Sequence, residues 1–197
     1  MKQKPNKVTD LGAIILAGGK SRRFGTDKAF YPYRGKPLIQ TVINVVNKVT
    51  DNIIIITNSP EKLNFVSYPK YKDLLPDCGS LGGIYTGLSF SNFKVNLVLA
   101  CDMPFVSTEC LNYLVQNTNG NDITVPYHNN MLEPLCAVYS KSCLPFIKAQ
   151  LETKNYQIFQ FYDKVETKEI HFNLEIPFYH HRLFFNINSK DDLSLLI

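Results

Sequence analysis

Four basic side chains and three glycines crowd the stretch LAGGKSRRFGTDK, Leu16 to Lys28. The chemistry open to such a loop is phosphate binding. Gly18 and Gly19 put no Cβ between their backbone N–H groups and an anion. Lys20, Arg22, Arg23 and Lys28 can give charge-assisted hydrogen bonds to several phosphates. Gly25 permits a second tight bend, and Asp27 can hold Lys28 or cap the segment after it. Neither of two common phosphate loops is present. The pattern G-x-x-x-x-G-K-[ST] needs a glycine where Ile14 stands, and G-x-G-x-x-G fails because the first two glycines are adjacent. The competing reading is a merely solvated basic loop. Two glycine bends set directly on an apolar run argue against it.

Two carboxylates and two asparagines complete the set. Asp102 ends the apolar run Asn96–Cys101, and ligands of open α/β sheets gather at the carboxyl ends of strands. A carboxylate there can hold Mg²⁺, which takes one or two protein carboxylates together with phosphate oxygens. Pro104 stiffens the turn behind it. Taken alone, Asp102 could equally be a cap or turn residue. Asp73 precedes the run Gly79-Ser80-Leu81-Gly82-Gly83, and a carboxylate can accept the paired N1–H and N2–H₂ donors of guanine. Gly82 and Gly83 suit close approach of a ring or ribose, or else the packing of a helix on a sheet. Asn186 and Asn188, two apart on an expected strand, would face one side, toward a ligand or a helix cap.

The elements that must position these groups follow from hydrophobic periodicity. Buried strands are expected over 12–17, 52–57 and 96–101, and helices over 37–49, 81–90 and 107–117, with a short helix over 61–65. That βαβ series implies a mostly parallel sheet with helices on both faces. Strands over 122–127 and 133–139 flank a polar turn, His128-Asn129-Asn130. A helix over 141–151, short strands over 168–172 and 183–187, and a capping box at Ser189 opening a last helix complete the reading. The 197 residues read as one domain, with 1–10 as a flexible tail and about 120–185 as a less regular lobe facing a second substrate. The net charge of +4 gives no argument for nucleic acid, and no apolar run approaches a membrane span. Five cysteines, none spaced C-x-x-C, read as reduced thiols in the cytoplasm rather than disulfides or a zinc site.

In their order along the chain, LAGGKSRRFGTDKA, GSLGGIYTGL, ACDMPF, EPLCAVYSKSCLP and FFNINSKDDL resemble the molybdenum cofactor guanylyltransferases, the MobA-like nucleotidyltransferases. The resemblance implies a Rossmann-like three-layer α/β/α nucleotidyltransferase fold and transfer of GMP from GTP to molybdopterin, with release of pyrophosphate. It implies GTP contacts at Leu16, Ala17, Gly18, Gly19, Lys28, Asn58, Asp73, Gly82 and Asp102, and catalytic roles for Arg23, Lys28 and Asp102. Asp102 would hold Mg²⁺, and Asn186 and Asn188 would lie toward the acceptor. Transient contacts with other cofactor-biosynthesis proteins or molybdoenzymes are also implied. Phe24 stands where the family has Met, Cys78 and Ser80 flank Gly79 where Gly-Pro is commoner, and Glu133-Pro134 replaces His-Pro in the region that should meet the pterin. The alternatives are a molybdopterin cytidylyltransferase, a cobinamide-phosphate guanylyltransferase, or a nucleotide-binding partner protein without catalysis.

Overall fold

The computed structural model describes residues 10–18, 28–188 and 192. In chain order the strands and helices are β1 (Leu11–Leu16), β2 (Pro32–Tyr33), β3 (Lys36–Pro37), α1 (Leu38–Val46), β4 (Ile53–Ile56), β5 (Lys70–Tyr71), α2 (Gly79–Phe90), β6 (Val95–Ala100), α3 (Thr108–Gln116), β7 (Ile123–His128), β8 (Met131–Leu132), β9 (Cys136–Ser140), α4 (Leu144–Glu152) and β10 (Thr167–His171). The main sheet runs β10-β7-β9-β6-β1-β4-β5, with β8 paired to β7. β1 lies parallel to both β4 and β6, β4 to β5, and β7 to β10, while β9 is antiparallel to β6 and β7. The result is a mostly parallel sheet.

β1 is central because every one of its residues is buried. Its side chains alternate between two cores, as a strand's must. Leu11, Ala13 and Ile15 face a core that includes α1 and α3, and Ile14 and Leu16 face one that includes α2 and α4. Helices therefore cover both faces in three layers, as the sequence implied. On α2, glycine permits the close approach. A Cβ at Gly87 would sit 2.3 Å from Cγ2 of Ile14, so no larger residue fits there. α3 begins where Ser107 caps it, its side chain accepting from the Cys110 N–H. The turn between β7 and β8 uses positive φ at Asn129 and Asn130, at 48° and 61°, as a two-residue hairpin requires. All five cysteines are free thiols. No helix among the described residues is long and apolar enough to cross a membrane.

Two expectations need correction. Residues 183–187 form no strand. Backbone bonds from Leu183 N to His180 O and from Phe185 N to Arg182 O close turns there, and Ile187 N then donates to Asp102 O at 3.0 Å. Leu183, Phe184 and Ile187 are buried because the segment folds across the carboxyl edge of the sheet, not because it pairs with a strand. The segment 61–65 contains a single 3₁₀ turn, Pro60–Leu63, rather than an α-helix. The two-residue strand β5 is half-buried and too short for periodicity to reveal. The predicted capping box at Ser189 lies outside the described residues.

Candidate active site

The carboxyl ends of the parallel strands open along one edge of the sheet, and the candidate residues fall along it in three groups. The first surrounds a cleft of 310 Å³ between the ends of β1 and β4 and the start of α2, lined among others by Leu16, Gly18, Thr57, Asn58, Asp73 and Gly83. Asp73 is held from below. Its Oδ1 accepts from the Thr86 hydroxyl at 2.7 Å and from Leu75 N at 3.2 Å. The same hydroxyl accepts from Leu74 N at 3.0 Å. Among the described residues no hydrogen bond engages the second oxygen of Asp73. Ala17 is buried beneath the cleft, its N–H on Ile56 O. Gly82 sits against the Asp73 side of the cleft, and a Cβ there would come within 3.5 Å of Asp73 Oδ1. A Cβ there would meet Cys78 Cβ at 2.8 Å and Leu75 O at 3.1 Å, so this glycine lets the Asp73 loop close over the helix start.

The second group sits between β1 and β6. Leu16 and Ala100 are paired in register, and Cys101 N donates to Leu16 O. One residue on, Asp102 Oδ2 lies 3.3 Å from Lys28 Nζ, which also donates to Asn188 Oδ1 at 3.1 Å. Asp102 Oδ1 is buried and, among the described residues, without a hydrogen-bond partner. Burial raises the Asp102 pKa, and the Lys28 charge and hydrogen bond oppose that rise without cancelling it. Asn188 N is fixed by Asp192 Oδ2. The two asparagines part company: Asn188 joins the Lys28 cluster, whereas Asn186 turns its amide onto Phe184 O. Arg23 and Gly19 lie outside the described residues. The ends of their loop are nevertheless placed, Gly18 at the cleft and Lys28 on Asp102.

The third group lies farther along the edge, where β7 and β9 end and begin. Glu133 Oε1 is 3.0 Å from His128 Nε2, and His128 Nδ1 is 3.3 Å from the Tyr179 hydroxyl. Burial pushes the Glu133 carboxyl up to about 7. Burial, with the nearby His181 charge, lowers His128. The lowered His128 pKa keeps the imidazole neutral, so this contact is a hydrogen bond from a neutral ring to Glu133 and not an ion pair. Of these residues the sequence flagged only Glu133, as a departure from the family pattern. Thr86 also escaped notice, although a hydroxyl on the buried face of α2 is the signal that a polar partner must be near.

A cleft and a Lys–carboxylate pair at the carboxyl edge of a mostly parallel sheet suit a nucleotide-binding enzyme. The profile of the MobA-like NTP transferase domain matches residues 13–166. A probable molybdenum cofactor guanylyltransferase of Flavobacterium johnsoniae is 38% identical over 93% of this chain and 95% of its own length. One of Natranaerobius thermophilus is 35% identical over 95% of each. The solved structure of molybdopterin-guanine dinucleotide biosynthesis protein A from Archaeoglobus fulgidus superposes with a TM-score of 0.79 at 27% identity, covering 94% of this chain and 96% of that one. The chain belongs to the MobA-like NTP transferase family.

Proposed function

We propose that this chain transfers GMP from GTP to molybdopterin, giving the guanine dinucleotide form of the cofactor and pyrophosphate. The observation that carries this reading is the order of the three groups along one sheet edge: Asp73 at the cleft, Lys28 with Asp102, then Glu133 with His128. A base, a triphosphate and a second, phosphate-bearing ring can lie along that edge with the reacting phosphates in the middle. The acceptor's phosphate oxygen attacks the α-phosphorus of GTP, a new P–O bond forms, and the bond to the β-phosphate oxygen breaks. The protein needs no covalent nucleophile for this. It holds two anions together and offsets their charge.

The residues divide that work. Asp73 turns its second oxygen to the donor pair of guanine. Lys28, steered by Asp102 and Asn188, binds phosphate oxygens, and Arg23 joins it by the family resemblance. Asp102 fits Mg²⁺, a hard cation that takes oxygen ligands, because its Oδ1 is buried and has no partner among the described residues. Bound there with substrate phosphates, Mg²⁺ would supply charge neutralisation. Five free thiols are compatible with a cytoplasmic setting for this activity.

The test is calorimetric titration with GTP, CTP and ATP, with and without Mg²⁺, followed by assay of GMP transfer to molybdopterin. A carboxylate desolvated by the bound ring and left unpaired by the wrong base penalises binding, so GTP is expected to win by at least about 10²-fold, or about 2.7 kcal/mol. Equal affinities for the three nucleotides, or no transfer with GTP and Mg²⁺ present, overturn the reading.

A further inference from the structure

The third group at the sheet edge is built more carefully than a packing role requires. Glu133 is anchored by its backbone on both sides, its N–H on Pro126 O at 2.9 Å and its carbonyl accepting from Cys136 N at 3.0 Å. Its side chain is 14% exposed and that of His128 only 7%. A hydroxyl proton on Tyr179 directed at Nδ1 leaves Nε2–H to donate to Oε1. All three side chains are then satisfied with the carboxylate ionised. Among the described residues no hydrogen bond engages Oε2. An apolar side chain would pack this turn at no desolvation cost, so a mostly buried carboxyl held in one orientation with one oxygen unengaged points to a ligand.

Its distance from the reacting groups is bounded in two ways. Leu135 O accepts from Ala100 N, and β9 separates β6 from β7 in the sheet. With adjacent strands about 4.8 Å apart, the His128 end of β7 lies about 10 Å from the β6 end that carries Asp102. The chain gives an independent limit. Phe184 packs on the His128 ring with centroids 5.0 Å apart, and Asn188 bonds Lys28. The four steps between them span at most about 14 Å. Phe105 and Phe185, both half-buried with centroids 6.3 Å apart, lie along that stretch and offer ring faces. A phosphate at Lys28 and Asp102 and a fused heteroaromatic ring at Glu133 therefore fit one molecule.

We propose that Glu133, oriented by His128 and Tyr179, reads the 2-amino-4-oxo edge of the acceptor's pterin ring, accepting its N3–H and 2-amino hydrogens. The inference rests on the proposed function for the identity of the acceptor. Guanine carries the same donor pair, so the chain would hold two carboxylate readers of one edge, Asp73 for the donor ring and Glu133 for the acceptor ring, on either side of Asp102. The chain's departure from the family's His-Pro fits this division. A carboxylate accepts both donors of such an edge, and a neutral imidazole offers one acceptor.

The test is fluorescence titration of the whole protein with pterin and with lumazine, which has a second oxo group in place of the 2-amino group. Wild type should bind pterin about tenfold more tightly, because lumazine sets an oxygen against the carboxylate. Glu133→Gln, isosteric but able to accept only one donor, should reduce that preference to within about twofold. Tyr179→Phe should weaken pterin binding by less than Glu133→Gln does. GTP affinity serves as the control for folding and should match wild type in both variants. A wild type that does not prefer pterin, or a Glu133→Gln protein that keeps the preference, overturns the assignment. Preference lost in Glu133→Gln, together with no GMP transfer by wild type, would sustain the reader and refute the proposed reaction.

Discussion

Thr86→Val removes one hydroxyl and leaves the shape of a fully buried side chain almost unchanged. In wild type that hydroxyl donates to Asp73 Oδ1 at 2.7 Å and accepts from Leu74 N at 3.0 Å. The first bond ends on a charged group and is worth about 1.5–3 kcal/mol, and the stranded Leu74 N–H adds about 1 kcal/mol, the low end because Leu74 is exposed and water can reach it. The sum is about 3 kcal/mol. For a chain of this size each kcal/mol shifts Tm by about 2–4 °C, so a drop of about 6–12 °C is expected. The functional effect is separate. Asp73 would keep only the 3.2 Å bond from Leu75 N, and its free oxygen would lose its fixed direction toward the cleft. The preference for GTP over ATP should fall by about tenfold, a smaller loss than deleting the carboxylate would cause. Thr86→Ser keeps the hydroxyl and should keep the preference, with a loss of about 1 kcal/mol for the missing methyl. Thermal unfolding and paired nucleotide titrations measure both effects. An unchanged Tm would mean the hydroxyl bonds contribute nothing. A lowered Tm with an unchanged GTP-to-ATP ratio would mean that Asp73, or its orientation by Thr86, does not read the base.

Asp102→Asn should cost about 10²-fold or more in the rate of GMP transfer with the fold retained, and activity above about a tenth of wild type would remove its electrostatic role. Lys28→Ala should lower kcat as well as GTP affinity if the ammonium stabilises charge gathering on pyrophosphate; a change confined to KM would make it a ground-state contact. Glu133 gives a pH dependence of stability. A carboxyl whose pKa rises from 4.5 to about 7 on folding binds its proton more tightly in the folded state, so its contribution is fullest below pH 4.5 and declines as pH rises toward about 7, by up to about 3 kcal/mol. His128, kept neutral by the fold, acts oppositely as pH rises from its lowered pKa to 6.5. Unfolding of wild type and Glu133→Gln from pH 4 to 8 should show the variant gaining stability relative to wild type as pH rises, and parallel curves would refute the shift.

Much of this fold was legible in local pattern. The runs that became β1, β4 and β6 are apolar on both faces, which only strands inside a helix-covered parallel sheet require. The start of α3 was legible to within a residue, and His128-Asn129-Asn130 announced the hairpin, because helix starts and tight turns are decided by residues within four positions. Asp102 was legible for a related reason: a carboxylate directly after a buried strand has nowhere to go except the sheet's carboxyl edge. What stayed hidden depended on partners far along the chain. The apolar stretch at 183–187 has the composition of a short strand, yet those residues cover the end of the sheet, since neither strand order nor free edges are written in a five-residue pattern. Asn186 and Asn188 share a spacing but not a site, because the backbone turns before Phe185 and is then fixed by Asp102 O. Thr86 meets Asp73 across 13 residues, and Tyr179 meets His128 across 51. Composition and periodicity determine which faces are buried and which residue types are available for chemistry. Only the packed sheet, by setting which strand ends lie side by side, decides which of those side chains share a hydrogen bond.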